Sequence, residues 1–202
     1  MNIKTIKELA YQYQINRKPH DDRERGYIYY HGERVARFSI ELRKKLFPND
    51  NKYDEHIIAA SLFHDVGKGL NPHAEYGAVL VREILKGHCE VEEIEIIAEI
   101  IGYHQSRRKE NNYPQYVKIV QDADILDRFG TLDVWLNFQK RAHQDAPIAH
   151  SLEFYRNDFE GYAKFMRDML NYNLSKEIFD EKMEFSRSFI NRLEVEAQGG
   201  IY

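Results

Sequence analysis

Apolar residues recur at helical spacing along almost the whole chain, and this periodicity restricts the fold more than any other feature. Near the start Ile3, Ile6, Leu9 and Tyr13 fall on one stripe, and in the middle Ile94, Ile97 and Ile101 do the same. Alternating patterns of the β kind are scarce. The boundaries carry helix-end chemistry. Asp54 precedes EHIIAASLFHD as an N-cap, Asn71-Pro72 opens HAEYGAVLVREILKG as cap and first-turn proline, Gly87 closes it, and Pro114 opens QYVKIVQDADILDRFG. The spacing predicts helices near residues 2–14, 27–46, 55–66, 73–86, 91–104, 115–128, 132–142, 151–171 and 175–196. The expected fold is all-α, a compact multi-helix bundle.

Length and charge narrow the function classes. With 202 residues and 43% hydrophobic content, the chain can bury one substantial core, and a single domain over 1–202 is the simplest expectation. A net charge of -4 gives no overall basic field of the kind that attracts nucleic acid. The one cysteine, Cys89, permits neither a disulfide framework nor a thiolate zinc pattern. The opening MNIKTIKELAYQYQ lacks the continuous apolar run of a signal peptide or membrane span. A soluble, cytoplasmic protein is therefore expected. The aromatic-rich C-terminal helices read as core first and as a partner surface, including a homo-oligomer contact, second.

Against this background, several histidines and acids fall on apolar helix faces. His31 shares a stripe with Val35, Phe38 and Leu42, and Asp124 follows Val117 and Val120 by seven and four residues. His64 follows Ile57 by seven and Ser61 by three, with Asp65 about 100° further round the last turn. A lone interior carboxylate would cost several kcal/mol, so it needs a cation or hydrogen-bond donors. Taken singly, each residue has a bland role as a core histidine, an ion-pair partner or a polar helix end. Together, His31, His64, Asp65 and Asp124 converge from three helices on one interior site. Nitrogen and carboxylate ligands without thiolate suit a divalent ion such as Mn, Mg, Fe, Ni, Co or Zn.

The order His31, then His64-Asp65 in HDVGKG, then Asp124 in QDADILD resembles the HD-domain metal-dependent phosphohydrolase superfamily. HGERVAR, PHAEYGA, IIGYHQ and KIVQDADILDRFG extend the resemblance to the small bacterial HD hydrolases, a group that includes nucleotide pyrophosphohydrolases. It spans about residues 27 to 135, with helices of 136–198 expected to pack on that core. It implies a metal centre and phosphate chemistry, and it leaves the substrate open.

For that chemistry Lys68, in the Gly67-Lys68-Gly69 turn, is the first candidate to meet developing phosphoryl charge, with a solvated loop lysine as its plain alternative. Asp65 could orient the attacking water besides serving as a ligand. His73 and His104 read as contacts to substrate phosphate or supports of the ligands. A second metal site or a purely structural role are the alternatives. Glu75 is a weaker candidate for proton transfer. Arg107 and Arg108, in the basic loop after His104, have a solvated loop as their default reading, and their place beside His104 makes them candidates to contact a polyphosphate tail. One ion per chain is expected, because Glu75, the acid sought for a second site, lies where it can face solvent. The leading reading is a metal-dependent phosphohydrolase acting on a nucleotide. A cyclic-nucleotide or dinucleotide phosphodiesterase and a non-catalytic nucleotide-sensing module remain the alternatives.

Overall fold

A computed structural model describes residues 1–107 and 112–201. Among the described residues the secondary structure is helical throughout: α1 (Ile3–Gln14), α2 (Tyr27–Leu46), α3 (Asp54–Phe63), α4 (His73–Leu85), α5 (Val91–Tyr103), α6 (Gln115–Asp127), α7 (Thr131–His143), α8 (Ile148–Asn157), α9 (Phe159–Asp168) and α10 (Asn173–Ala197). The all-α expectation holds. None of these helices is long and apolar enough to cross a membrane.

Local chemistry explains the ends. Asn2 caps α1 by accepting the backbone N–H groups of Lys4 and Thr5 at 3.0 and 3.3 Å. Glu90 and Glu93 form a reciprocal capping box at the start of α5. Asp54 is a correction. It lies in the first turn of α3, not at its N-cap, because its carboxylate is taken by the Arg43 guanidinium, with Nε 2.7 Å from Oδ1. Likewise α4 begins at His73, so Pro72 stands just before the helix and not inside its first turn. The expected single helix over 151–171 is two helices, α8 and α9, meeting at Asp158. Asn157 and Asp158 compete with helical backbone bonding and favour such ends. The apolar period of Phe154, Tyr155 and Phe159 runs across the break and hides it.

The chain packs as two compact units, Met1–Asp127 and a second beginning at Arg128. In the first, α2 packs on α3 and α6, α4 on α5, α5 on α3, and α1 on α3. Val35, Leu42, Ile57, Phe63, Ile97, Ile101 and Val117 are buried there. Burial of each such side chain contributes about 1.5–3 kcal/mol of transfer free energy, which offsets the charged groups held between the same helices. Gly32 fixes the closest approach: a Cβ on it would lie 2.9 Å from the Leu62 carbonyl oxygen and 3.0 Å from that of Ser61. Only glycine lets α2 approach the end of α3 this closely, directly beside His31.

In the second unit α10 packs on α7, α8 and α9. Its aromatics divide between core and surface. Phe159 and Phe179 are buried, whereas Phe165, Phe185 and Phe189 are exposed.

Candidate metal centre

Close approach of α2 to α3 brings the first two histidines together. His31 Nε2 lies 3.2 Å from His64 Nε2 and 3.2 Å from Asp124 Oδ1. His64 Nε2 is 3.8 Å from both Asp65 Oδ2 and Asp124 Oδ1. All four side chains are buried. Ligand atoms of His31, His64 and Asp65 lie within 4.8 Å of one another, and Asp65, His73 and His104 form a second such triad. The residues singled out on three separate helices therefore meet, and Asp65 belongs to both groups.

The outward nitrogens fix which ring atom faces the cluster. Nδ1 of His64 donates to the Ser61 carbonyl and Nδ1 of His104 to the Ile101 carbonyl, each at 2.7 Å, the acceptor lying one turn back. Nδ1 of His31 donates to Asp127 Oδ2, also at 2.7 Å. In each ring Nε2 is thereby turned inward. This is the arrangement in which a ligating imidazole is oriented and made more basic by its outer hydrogen bond.

Asp127 was missed by the reading of the sequence. It stands three residues after Asp124 and so on nearly the same face of α6, and that spacing was the available signal. Arg34, three residues after His31, completes the support, with Nε 2.8 Å and Nη2 3.0 Å from the two Asp127 oxygens. Gln121 was missed too. Its side-chain nitrogen donates to the carbonyls of Tyr103 and Ser106 at 2.8 and 3.1 Å, fixing the chain on both sides of His104.

The electrostatics show a site short of positive charge. Burial opposes a charge on His31, yet the hydrogen bonds it donates to Asp124 and Asp127 prevail and raise its pKa to about 9. Burial lowers His64 to about 4. Burial would raise Asp65, but His64, His104, His73 and the Lys68 ammonium hold its carboxyl well below the usual range. Asp127 is depressed although buried, because His31 and Arg34 bind it.

Lys68 Nζ lies 3.3 Å from Asp65 Oδ1 and 3.3 Å from His73 Nε2. His73 Nε2 and His104 Nε2 are 3.2 and 3.7 Å from the same Asp65 oxygen. The loop carrying Lys68 is held from both sides. Arg17, also missed, donates to the carbonyls of Val66 and Lys68 at 2.7 and 2.8 Å. A Cβ on Gly67 would come within 2.2 Å of the His73 carbonyl oxygen, so the loop lies directly on the start of α4.

The remaining candidates separate. Arg107 turns its guanidinium onto Asp124, with Nη2 2.5 Å from Oδ2, so its charge is directed at the cluster. Glu75 is exposed in the first turn of α4. Arg108 lies outside the described residues.

Inward imidazole nitrogens, carboxylate oxygens and a deficit of positive charge fit a divalent ion, and these residues could hold one. The HD-domain model matches residues 28–128, and the chain belongs to the HD-domain family of metal-dependent phosphohydrolases. Among curated proteins none matches the chain. Solved structures share the fold. An HD-superfamily hydrolase from Bacillus thuringiensis is 22% identical, with 97% of this chain and 96% of that one covered and a TM-score of 0.67. Bacillus subtilis YpgQ in complex with ADP is 20% identical, with 96% of each covered and a TM-score of 0.65. The Lin1889 protein of Listeria innocua is 24% identical, with 98% of each covered and a TM-score of 0.63.

Proposed function

We propose that this protein hydrolyses a phosphoanhydride or phosphoester bond of a nucleotide, using one divalent ion held by His31, His64, Asp65 and Asp124. The observation that carries the reading is the adjacency of two chemistries. A buried set of imidazole and carboxylate donors shares Asp65 with Lys68, His73 and His104, three groups able to donate to phosphate oxygens. When bound, the ion polarises a phosphoryl oxygen and lowers the pKa of water. Lys68 then supplies positive charge where the transition state gathers negative charge. His73 and His104 contact the phosphate or its water, and Asp65 orients the attacking water. Arg107 neutralises Asp124 and lies close enough to lend charge to a phosphate tail.

Nucleotides are favoured over simple phosphate esters by the space available. A cavity of about 680 Å³ is lined by Lys68 together with Tyr13, Arg17, Leu70, Leu80, Glu83 and Ile84, Lys68 being the residue of the site among its walls. That volume is within the usual range for small-molecule sites, and the walls combine apolar side chains with the Lys68 and Arg17 cations and the Glu83 carboxylate, a setting for a nucleoside whose charged tail reaches Lys68. The ADP held by YpgQ, a protein of the same fold, supports the same ligand class.

The test is a panel of nucleoside mono-, di- and triphosphates, cyclic mononucleotides and dinucleotides, each assayed with Mn, Mg, Fe, Ni and Co. Metal-dependent release of phosphate or pyrophosphate, lost in His64→Ala, is the expected result. Turnover confined to cyclic or dinucleotide substrates would replace the reading with a phosphodiesterase. Tight nucleotide binding with no turnover under any metal would replace it with a sensing module.

A further inference from the structure

One donor beside the metal ligands has nothing to donate to. The Arg107 side chain is only 8% exposed, and its Nε is buried with no acceptor among the described residues. A buried N–H of a cation is costly to leave unpaired, so the position calls for an oxygen. We propose that Arg107 is a catalytic residue whose Nε–H receives an oxygen of the phosphoryl group under attack, while its Nη2 holds Asp124 in place. The inference rests on the phosphohydrolase reading of the metal centre.

Other arginines of the chain show what the complete arrangement looks like. Arg34, Arg82, Arg167 and Arg187 each set Nε and Nη2 on the two oxygens of one carboxylate. These two N–H bonds leave the guanidinium side by side and parallel, a fork that fits a carboxylate or a phosphate. Arg107 uses one prong of it. Nη2 lies 2.5 Å from Asp124 Oδ2, whereas Oδ1 is turned to the histidines, 3.2 Å from His31 Nε2 and 3.8 Å from His64 Nε2. Asp124 therefore cannot fill both prongs while it serves as a ligand. The oxygen that completes the fork has to come from elsewhere, and the parallel prongs place it next to Asp124. An unpaired Nε alone would not carry this, since Arg141 has one too. What distinguishes Arg107 is that the other prong of its fork rests on a metal ligand.

The backbone aims the fork. Gln121, one turn before Asp124 on α6, donates to the carbonyls of Tyr103 and Ser106, and Arg107 Nη2 lies 3.5 Å from the Gln121 carbonyl oxygen. The turn after α5 is thus fastened to the helix that carries Asp124. The same turn presents His104, whose Nε2 is 3.7 Å from Asp65 Oδ1, so one short segment brings a donor to each of two ligating carboxylates. The guanidinium keeps its proton throughout and acts by charge and hydrogen bonding, meeting the negative charge that gathers on phosphoryl oxygens in the transition state.

The experiment compares the parent, Arg107→Lys and Arg107→Met with Mn²⁺ and inorganic phosphate as probes. The electron paramagnetic resonance of free Mn²⁺ gives the metal affinity, and the ³¹P relaxation induced by bound Mn²⁺ gives the affinity for phosphate at the ion. Lysine keeps a cation for Asp124 but has no second, parallel prong. Arg107→Lys should therefore hold Mn²⁺ as the parent does and bind phosphate about 10–100-fold more weakly, and Arg107→Met should bind phosphate no better than Arg107→Lys. Phosphate affinity in Arg107→Lys equal to the parent's would overturn the inference and leave Arg107 a charge partner of Asp124. A parent that binds Mn²⁺ but shows no ³¹P relaxation by it would overturn it as well. A parent that binds no Mn²⁺ would remove the metal reading and the inference with it. Melting temperatures show that each variant is folded, and if Arg107→Met is not, the comparison of Arg107→Lys with the parent decides.

Discussion

The two units are built from the same kind of helix but fill their interiors differently. In the first, His31, His64, Asp65, His104, Asp122, Asp124 and Asp127 are all buried. In the second, the fully buried polar side chains among the described residues are Ser151, Ser175 and Ser186, none of them charged. Buried ionised groups cost several kcal/mol each unless paired, so the first unit carries an expense that helix packing alone would never select. Its polar interior fits a bound divalent ion, whereas no such cluster occurs among the described residues of the second unit.

The largest expected effect breaks this contrast directly. A divalent ion that binds only the folded first unit stabilises it by about 2.7 kcal/mol at 100 times its dissociation constant. Chelation should therefore lower the melting temperature and reduce amide protection in α2, α3 and α6. Protection within α7 to α10 should change little. Equal loss across both units, or an unchanged melting temperature on adding any divalent ion, would show that the polar interior has another cause.

Next in size is the support of His31. Asp127→Asn keeps the shape of the side chain but weakens the grip on Nδ1, and losses of this kind typically reduce metal affinity or activity about 10–100-fold. The fall should appear in the Mn²⁺ dissociation constant as well as in the rate. An unchanged constant would reduce Asp127 to a partner for Arg34.

Asp133 sharpens the contrast from the other side. It is the acid of the second unit that burial affects most clearly, its pKa being raised to about 6 by burial, against which the Tyr155 hydroxyl donates a hydrogen bond at 3.1 Å. A raised folded pKa means that folding favours the neutral form. The stability this residue contributes is complete below the unfolded pKa of about 4 and is lost as pH rises through about 6. Asp133→Asn should thus leave stability nearly unchanged near pH 4 and raise it by roughly 2.7 kcal/mol above pH 6.5. Urea unfolding across this range would reveal it. A pH-independent difference would mean that the carboxyl is solvated.

What could be read in advance follows the range of the forces involved. His31, His64 and Asp124 were legible because each interrupts an apolar stripe of its own helix, a local pattern that costs too much to arise without a reason. Asp127 interrupts the same kind of stripe, but its partner His31 is 96 residues away, and only the fold shows which imidazole it orients. Lys68 was legible as a loop cation beside Asp65 but not as a partner of His73, because that depends on where Arg17 and Gly67 seat the loop. In the second unit the break at Asp158 was concealed by an unbroken aromatic period. There, among the described residues, no charged side chain is fully buried to mark which positions matter.

The smallest effect concerns surface charge, and it tests whether ion pairs in the two units differ in kind. Arg187 clasps Glu160 across α9 and α10 with Nε and Nη2, at 2.7 and 2.8 Å, and Arg34 clasps Asp127 at similar distances. The geometries match, but the settings do not. Glu160 is 61% exposed and Asp127 1%. Water and salt screen the first pair, and two long side chains lose freedom in forming it, so a coupling of about 0.2–1 kcal/mol is expected from a double-mutant cycle. The second pair faces a buried acceptor that also binds His31, and removing Arg34 would leave part of that charge uncompensated. The Arg34/Asp127 coupling should therefore exceed the Arg187/Glu160 coupling and persist at high salt, where the latter fades. Equal couplings would mean that burial does not set the value of charge in this protein. The polar interior of the first unit would then lose the energetic argument for a bound cation.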